Sequence, residues 1–259
     1  MFAFVSLKMV AYYGNYTLIT TKLTQLFNTF MGSVWASVGN LVAEGDEERT
    51  MQVFWEIQSV YYLLAGFVVF SVYHFIDPFI ILWLGPEYLL DHTILVLLMV
   101  NIFIMLSRNA VDMFNTAHGP FADTWSAWSE GFTNICVTLL CAPYLGIVGI
   151  LIGKIVSVGF FIVLWKPYYL FHSGFHLPIK LYWSNIIKYL GIFGVSFYLG
   201  HIIYQHIPLD SSVSFTLWIT KEIATIIPFT LMFYLGLYLF GRGMKQITNR
   251  FLIKLNFVK

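Results

Sequence analysis

Apolar residues dominate this chain in seven long windows, each interrupted at its ends by charges, proline or glycine. The windows cover residues 12–43, 51–75, 93–117, 125–145, 147–165, 186–207 and 216–240. A helix needs about 20 mostly apolar residues to cross the ~30 Å hydrocarbon layer of a bilayer, so each window reads as a crossing. The stretch FIILWLG, within 77–91, is apolar but too short to span and reads as an interfacial turn closed by Gly85 and Pro86. No soluble domain, low-complexity tract or short-period repeat stands out.

Composition agrees with this pattern. Hydrophobic residues make up 59% of the 259, charged residues only 10%, against about 25% in an ordinary soluble domain. The mean hydropathy is +0.76. These values describe an all-α integral membrane protein that contacts membrane lipids, and a net charge of +1 gives no sign of a nucleic-acid partner. Cys136 and Cys141 are too few and too close for a disulfide framework or a metal site, and read as small packing residues. His172 and His176 have ligand-like spacing but fall in an expected loop without a nearby carboxylate, and read as interfacial residues. No Walker loop, HExxH or GxSxG motif occurs, so neither an enzyme nor a cofactor is expected. The start of the chain lacks the basic segment and small-residue cleavage site of a removable leader.

Lysine and arginine set the expected orientation. Arg242, Lys245, Arg250, Lys254 and Lys259 place the C-terminus in the cytoplasm, and the basic loop 166–180 belongs on the same side. Segments 77–91 and 207–214 contain neither residue and belong outside. Seven crossings then put the N-terminus outside. Trp83, Tyr88, Trp125, Trp128, Trp165 and Trp183 cluster near window ends, as interface anchors do.

Two windows carry polar stripes at helical spacing. Thr17, Thr21, Thr24, Asn28, Gly32, Ala36 and Asn40 share one face of the first, flanked by Lys22 and Gln25. Ser126, Glu130, Thr133, Asn134 and Thr138 form the second. Such stripes arise from close helix packing or from an aqueous cavity, and the charges of Lys22 and Glu130 favour the cavity. In IMLSRNAVDMF (104–114), Arg108 lies about 22 Å into its window at 1.5 Å per residue, with Asp112 one turn on along the same face. The two are spaced to pair. Glu130 is expected at a similar depth, which makes one cluster of the three. This arrangement is open to two readings, a structural lock or a direct part in transport. Lys154 stands alone on a helix whose Gly146, Gly149 and Gly153 suit tight packing, and either snorkels outward or faces the cavity.

The segment GNYTLITTKLTQLFNTFMGSVWASVGNLVAEGDEERTMQVFWE, followed by DPFIILWLGPEYLL and RNAVDMFNTAHG, resembles bacterial polysaccharide flippases of the O-antigen type. These belong to the multidrug, oligosaccharidyl-lipid and polysaccharide exporter superfamily. The resemblance is strongest over 12–166. It implies a helical lobe beside a cavity that opens alternately to each face of the bacterial inner membrane and moves an undecaprenyl-pyrophosphate-linked oligosaccharide. Family members have roughly twelve to fourteen helices, so the resemblance covers the C-terminal half: a five-helix bundle over 1–167 and two accessory helices with a basic tail over 168–259. The missing N-terminal half, or other polysaccharide-assembly proteins, are the partners this implies. The same resemblance implies that Arg108, Lys154 and Lys22 hold the pyrophosphate, that Asn28, Asn40, Thr133 and Asn134 contact sugar, and that Asp112 or Glu130 couples to an ion. A seven-helix receptor and a membrane-embedded sugar polymerase are the rival readings. The small cytoplasmic loops and the absent basic outer loop argue against them.

Overall fold

A computed structural model describes residues 5–119 and 124–257. Lys259 lies outside the described residues, as does the side chain of Lys254. Every regular element among them is helical: α1 (Leu7–Ala43), α2 (Glu47–Trp83), α3 (His92–Ser107), α4 (Asn109–Ala117), α5 (Thr124–Leu145), α6 (Ile147–Val158), α7 (Lys166–Tyr169), α8 (Ile179–His206), α9 (Phe215–Phe240) and α10 (Met244–Phe257). Among the described residues, five spans are long and apolar enough to cross a membrane: Glu47–Trp83, His92–Ala117, Ile147–Gly174, Ile179–His206 and Phe215–Phe240. The first and fourth sequence windows become α1 and α5, which are 37 and 22 residues long but are not among the five. Their threonines, serines and asparagines dilute the apolar content.

Local chemistry sets the helix starts. The side chains of Ser6, Asp46, Asp91 and Ser214 each accept a hydrogen bond from a backbone N–H of the first turn that follows, which would otherwise lack a partner. Gly45, at φ +76°, turns the chain between α1 and α2.

In two places the helices outrun the apolar windows. The window pattern ends the second crossing at residue 75, with a turn over FIILWLG. Instead α2 passes through Pro78 and stops at Trp83, because Ile80 is fully buried and a proline removes only one rung of the helical ladder. Gly85, at φ +113°, then ends it. The expected basic loop from residue 166 is likewise helical up to Gly174. The π-helical segment Gly159–Trp165 joins α6 to α7, and a second, Leu170–Gly174, continues the same rod beyond α7. Burial of Leu170 and Phe171 holds that extension down, with Phe171 edge-on to Phe54.

Helix α2 is the centre of the assembly and packs against α1, α3, α4, α8, α9 and α10. Lipid tails are as apolar as leucine, so close packing rather than transfer from water has to hold these helices together. The contacts are accordingly tight. Phe70 stacks on Phe229 at 4.0 Å, and Gly200 leaves room for Phe70 where a Cβ would come within 2.7 Å of it. Near the start of α2, Phe54 meets Trp55, Phe114, Phe171 and Phe175 edge-to-face. The glycines of α6 pack as their spacing predicts: a Cβ on Gly149 would lie 2.6 Å from the Cys141 carbonyl, and one on Gly153 would strike Thr138. The tail is a helix folded back on the bundle. Arg250 in α10 pairs with the buried Glu56 of α2 at 2.9 Å, and Gly243, at φ +100°, sits against the Trp55 carbonyl.

Candidate functional site: a polar cavity between α1, α3 and α6

A cavity of about 270 Å³ lies where the first half of α1 faces α3 and α6. From α1 it takes Thr17, Thr21, Thr24, Gln25 and Asn28, and from α3 Asn101. Lys154 of α6 completes the wall. The 3.6-residue period of α1 places its threonines on one side, and two of the hydroxyls bond their own helix. Thr17 donates to the Tyr13 carbonyl and Thr24 to the Thr20 carbonyl. With their protons bonded to their own helix, these hydroxyls present lone pairs. Asn101 adds to this. Its Nδ2 donates to the Leu97 carbonyl at 2.9 Å, while its Oδ1 is buried without a partner among the described residues. The wall is therefore rich in acceptors, with one ammonium among them, and suits a ligand bearing hydroxyl donors and a negative charge.

Beside the cavity lies a group of charges. Arg108 Nε is 3.3 Å from Asp112 Oδ2, the pairing their spacing predicts. The contact is an ion pair without a directed hydrogen bond, since Arg108 Nε has no aligned acceptor among the described residues. Lys166 Nζ approaches Asp112 from the other side and donates to Oδ1 at 2.8 Å. Lys154 lies within electrostatic range of both Arg108 and Glu130. Three cations thus face two carboxylates, which leaves one positive charge in excess. Asn109 Nδ2 donates to Asn28 Oδ1 at 3.4 Å and ties α1 to α4 between the cavity and the charges. Gln58, fully buried in α2, donates to the Ser107 carbonyl at the junction of α3 and α4 and steadies the turn that carries Arg108.

The structure brings some of the expected site residues together and leaves others apart. Asn28 and Lys154 line the cavity; Arg108 lies within electrostatic range of Lys154, pairs with Asp112 and lines a separate cavity of about 170 Å³ with Tyr62 and Tyr182. Lys22 is exposed and donates to Gln25 at 3.3 Å. Asn40 is exposed near the far end of α1. Thr133 is half-buried on α5, and Asn134 accepts from Thr138 in the seam between α5 and α6, where packing employs it. Of the expected cluster, Arg108 and Asp112 pair and Lys166 joins them, while Glu130 lies within electrostatic range of Lys154 and forms no ion pair among the described residues. The helical extension past Trp165 carries Lys166 to α4.

Two further features surround the site. A larger apolar groove of about 530 Å³ runs between α2, α3 and α8, lined by Met99, Phe103, Phe193 and Phe197 among others, with Tyr73 and His201 at its polar end. The second half of α1 presents Gly32, Ser33, Ala36, Ser37 and Asn40 as an exposed polar and small-residue face. Comparison of the chain with family models, curated proteins and solved structures found no match.

Proposed function

We propose that this chain forms one lobe of a membrane transporter for a lipid-linked oligosaccharide, in keeping with its resemblance to the polysaccharide flippases. In this reading α1 and α5 cross the membrane with the five more apolar spans. Their polar faces border a hydrated path instead of lipid. The observation that carries the reading is the acceptor-bearing cavity with Lys154 in its wall, Lys154 being the cation left in excess when Arg108 and Lys166 are set against Asp112 and Glu130. Sugar hydroxyls donate to the threonine oxygens and to Asn101 Oδ1, and the pyrophosphate meets Lys154 and Arg108. The apolar groove between α2, α3 and α8 accommodates part of the isoprenoid chain. The exposed polar face of α1 calls for a partner lobe on its other side, since a face of this kind is costly against lipid.

Binding tests the proposal. The full chain in lipid nanodiscs is titrated with an undecaprenyl-pyrophosphate oligosaccharide and with the same glycan on a neutral polyprenol. The charged ligand binds more tightly, and Lys154→Ala weakens it about 10- to 100-fold, the range for one charged hydrogen bond. Equal affinity for both ligands, or an unchanged affinity in the variant, overturns the assignment.

A further inference from the structure

The geometry points to a proton-binding site outside the polar cavity, formed by His74 of α2 and His201 of α8. His74 Nδ1 is 3.0 Å from the Phe70 carbonyl, His74 Nε2 is 3.0 Å from His201 Nδ1, and His201 Nε2 is 2.9 Å from Gln205 Nε2. These contacts fix every proton in the chain. A carbonyl can only accept, so His74 Nδ1 carries a hydrogen and, in the neutral ring, His74 Nε2 is a bare acceptor. His201 Nδ1 must then donate to it, which leaves His201 Nε2 as the acceptor from the Gln205 amide.

The chain has one place for an added proton. His74 is buried, 5% exposed, whereas Gln205 is exposed, so access is from the Gln205 side. When a proton from water settles on His201 Nε2, the Gln205 amide turns over and its oxygen accepts. His201 becomes an imidazolium that donates at both nitrogens, and its Nδ1–H bond to His74 is kept. A second proton, on His74 Nε2, would set two N–H donors against each other at 3.0 Å. The neighbouring groups have partners of their own. Lys221 of α9 donates to the Leu209 carbonyl and sits 4.0 Å over the Tyr204 ring, which itself packs on His74 at 4.8 Å. Tyr73 turns its hydroxyl to His92 of α3 at 3.3 Å. The carboxylates nearby are engaged elsewhere: Asp77 accepts from Tyr16, and Glu222 lines a separate cavity with Ser71 and Phe75.

The pair therefore binds one proton, at the edge of the apolar groove that His201 and Tyr73 also line. A role for that proton in driving transport rests on the transporter reading, but the binding itself does not.

Solid-state nitrogen NMR of histidine-labelled full-length protein in bilayers, titrated from about pH 8 to about pH 4, reads the site directly. At the alkaline end both rings carry hydrogen on Nδ1 and none on Nε2. Acidification yields a single imidazolium on the pair, absent from His201→Gln. Gln205→Leu, a change at an exposed position, removes the oxygen that must accept and lowers the proton affinity of the pair at least about tenfold. A pair that stays neutral down to about pH 4 overturns the proposal, as do two bound protons, the reversed tautomers, or an unshifted titration in Gln205→Leu. The measurement needs no substrate, so its failure is distinct from a failure of the transport assignment.

Discussion

Asp112 stands between two cations, with Lys166 at 2.8 Å and Arg108 at 3.3 Å, and replacing it with asparagine keeps its shape while removing its charge. Arg108 and Lys166 would then share a site with no carboxylate. Removing one member of a buried ion pair costs about 3–5 kcal/mol, because the remaining charge stays desolvated without compensation. The side chains here are 16–24% exposed, so water screens part of the loss and the low end, about 3 kcal/mol, applies. At about 2–4 °C per kcal/mol for a chain of this size, the unfolding midpoint of Asp112→Asn falls by about 6–12 °C. Lys166→Met removes one of two cations and leaves Asp112 its arginine, with a loss of about 1 kcal/mol. In the double variant only Arg108 remains unpaired, so the effects fall short of their sum by about 1–2 kcal/mol. Tryptophan fluorescence during heating of the detergent-solubilised protein reads all three. A midpoint for Asp112→Asn within about 2 °C of the parent, or strict additivity in the double variant, would refute the claim that one carboxylate holds both cations.

Two further outcomes follow from local geometry. Gly153→Leu forces α5 away from α6, because a Cβ there meets Thr138 and the Asn134 backbone, so the variant elutes as aggregate on gel filtration; Gly14→Leu, where nothing lies within 4 Å of the added carbon, elutes as the parent does. In the loop between α8 and α9, the Ser212 N–H and hydroxyl both donate to Asp210 and hold its carboxyl below the usual carboxylate range. A lowered folded value means that the contribution is complete above the unfolded value of about 3.9 and is lost as pH falls through the folded one. Protection of the Ser212 amide from hydrogen exchange, corrected for the intrinsic rate, is therefore constant at neutral pH and declines only below that range, and Asp210→Ala lacks it throughout.

What the sequence made legible was local. Arg108 and Asp112 are four residues apart on a helix, and that spacing alone brings them together. The α1 stripe is likewise a matter of period, and its first half does line a cavity with Lys154. Gly149 and Gly153 announce a close helix approach by lacking side chains. The remainder depends on contacts between distant segments. Lys166 is 54 residues from Asp112, and as the leading cation of an apparent loop it carried no sign that helix would continue through it. Arg250 and Glu56 lie 194 residues apart, and a basic tail reads as a topology signal rather than as a docked helix. His74 and His201, 127 residues apart, each look like a single polar residue in an apolar helix until α2 and α8 are packed. FIILWLG misleads for a related reason: its length excludes a crossing of its own but says nothing against an extension of α2, and its proline looks like a stop.

The central claim is that the polar face of α1 borders water at bilayer depth. With Cys136 and Cys141 replaced, single cysteines are placed at Thr24 and Asn28 in the cavity wall and at Phe132 and Leu140, which are exposed on the apolar surface of α5. In native membranes a small charged thiol reagent labels the two cavity positions and spares the two apolar ones. Equal shielding of all four would contradict the account.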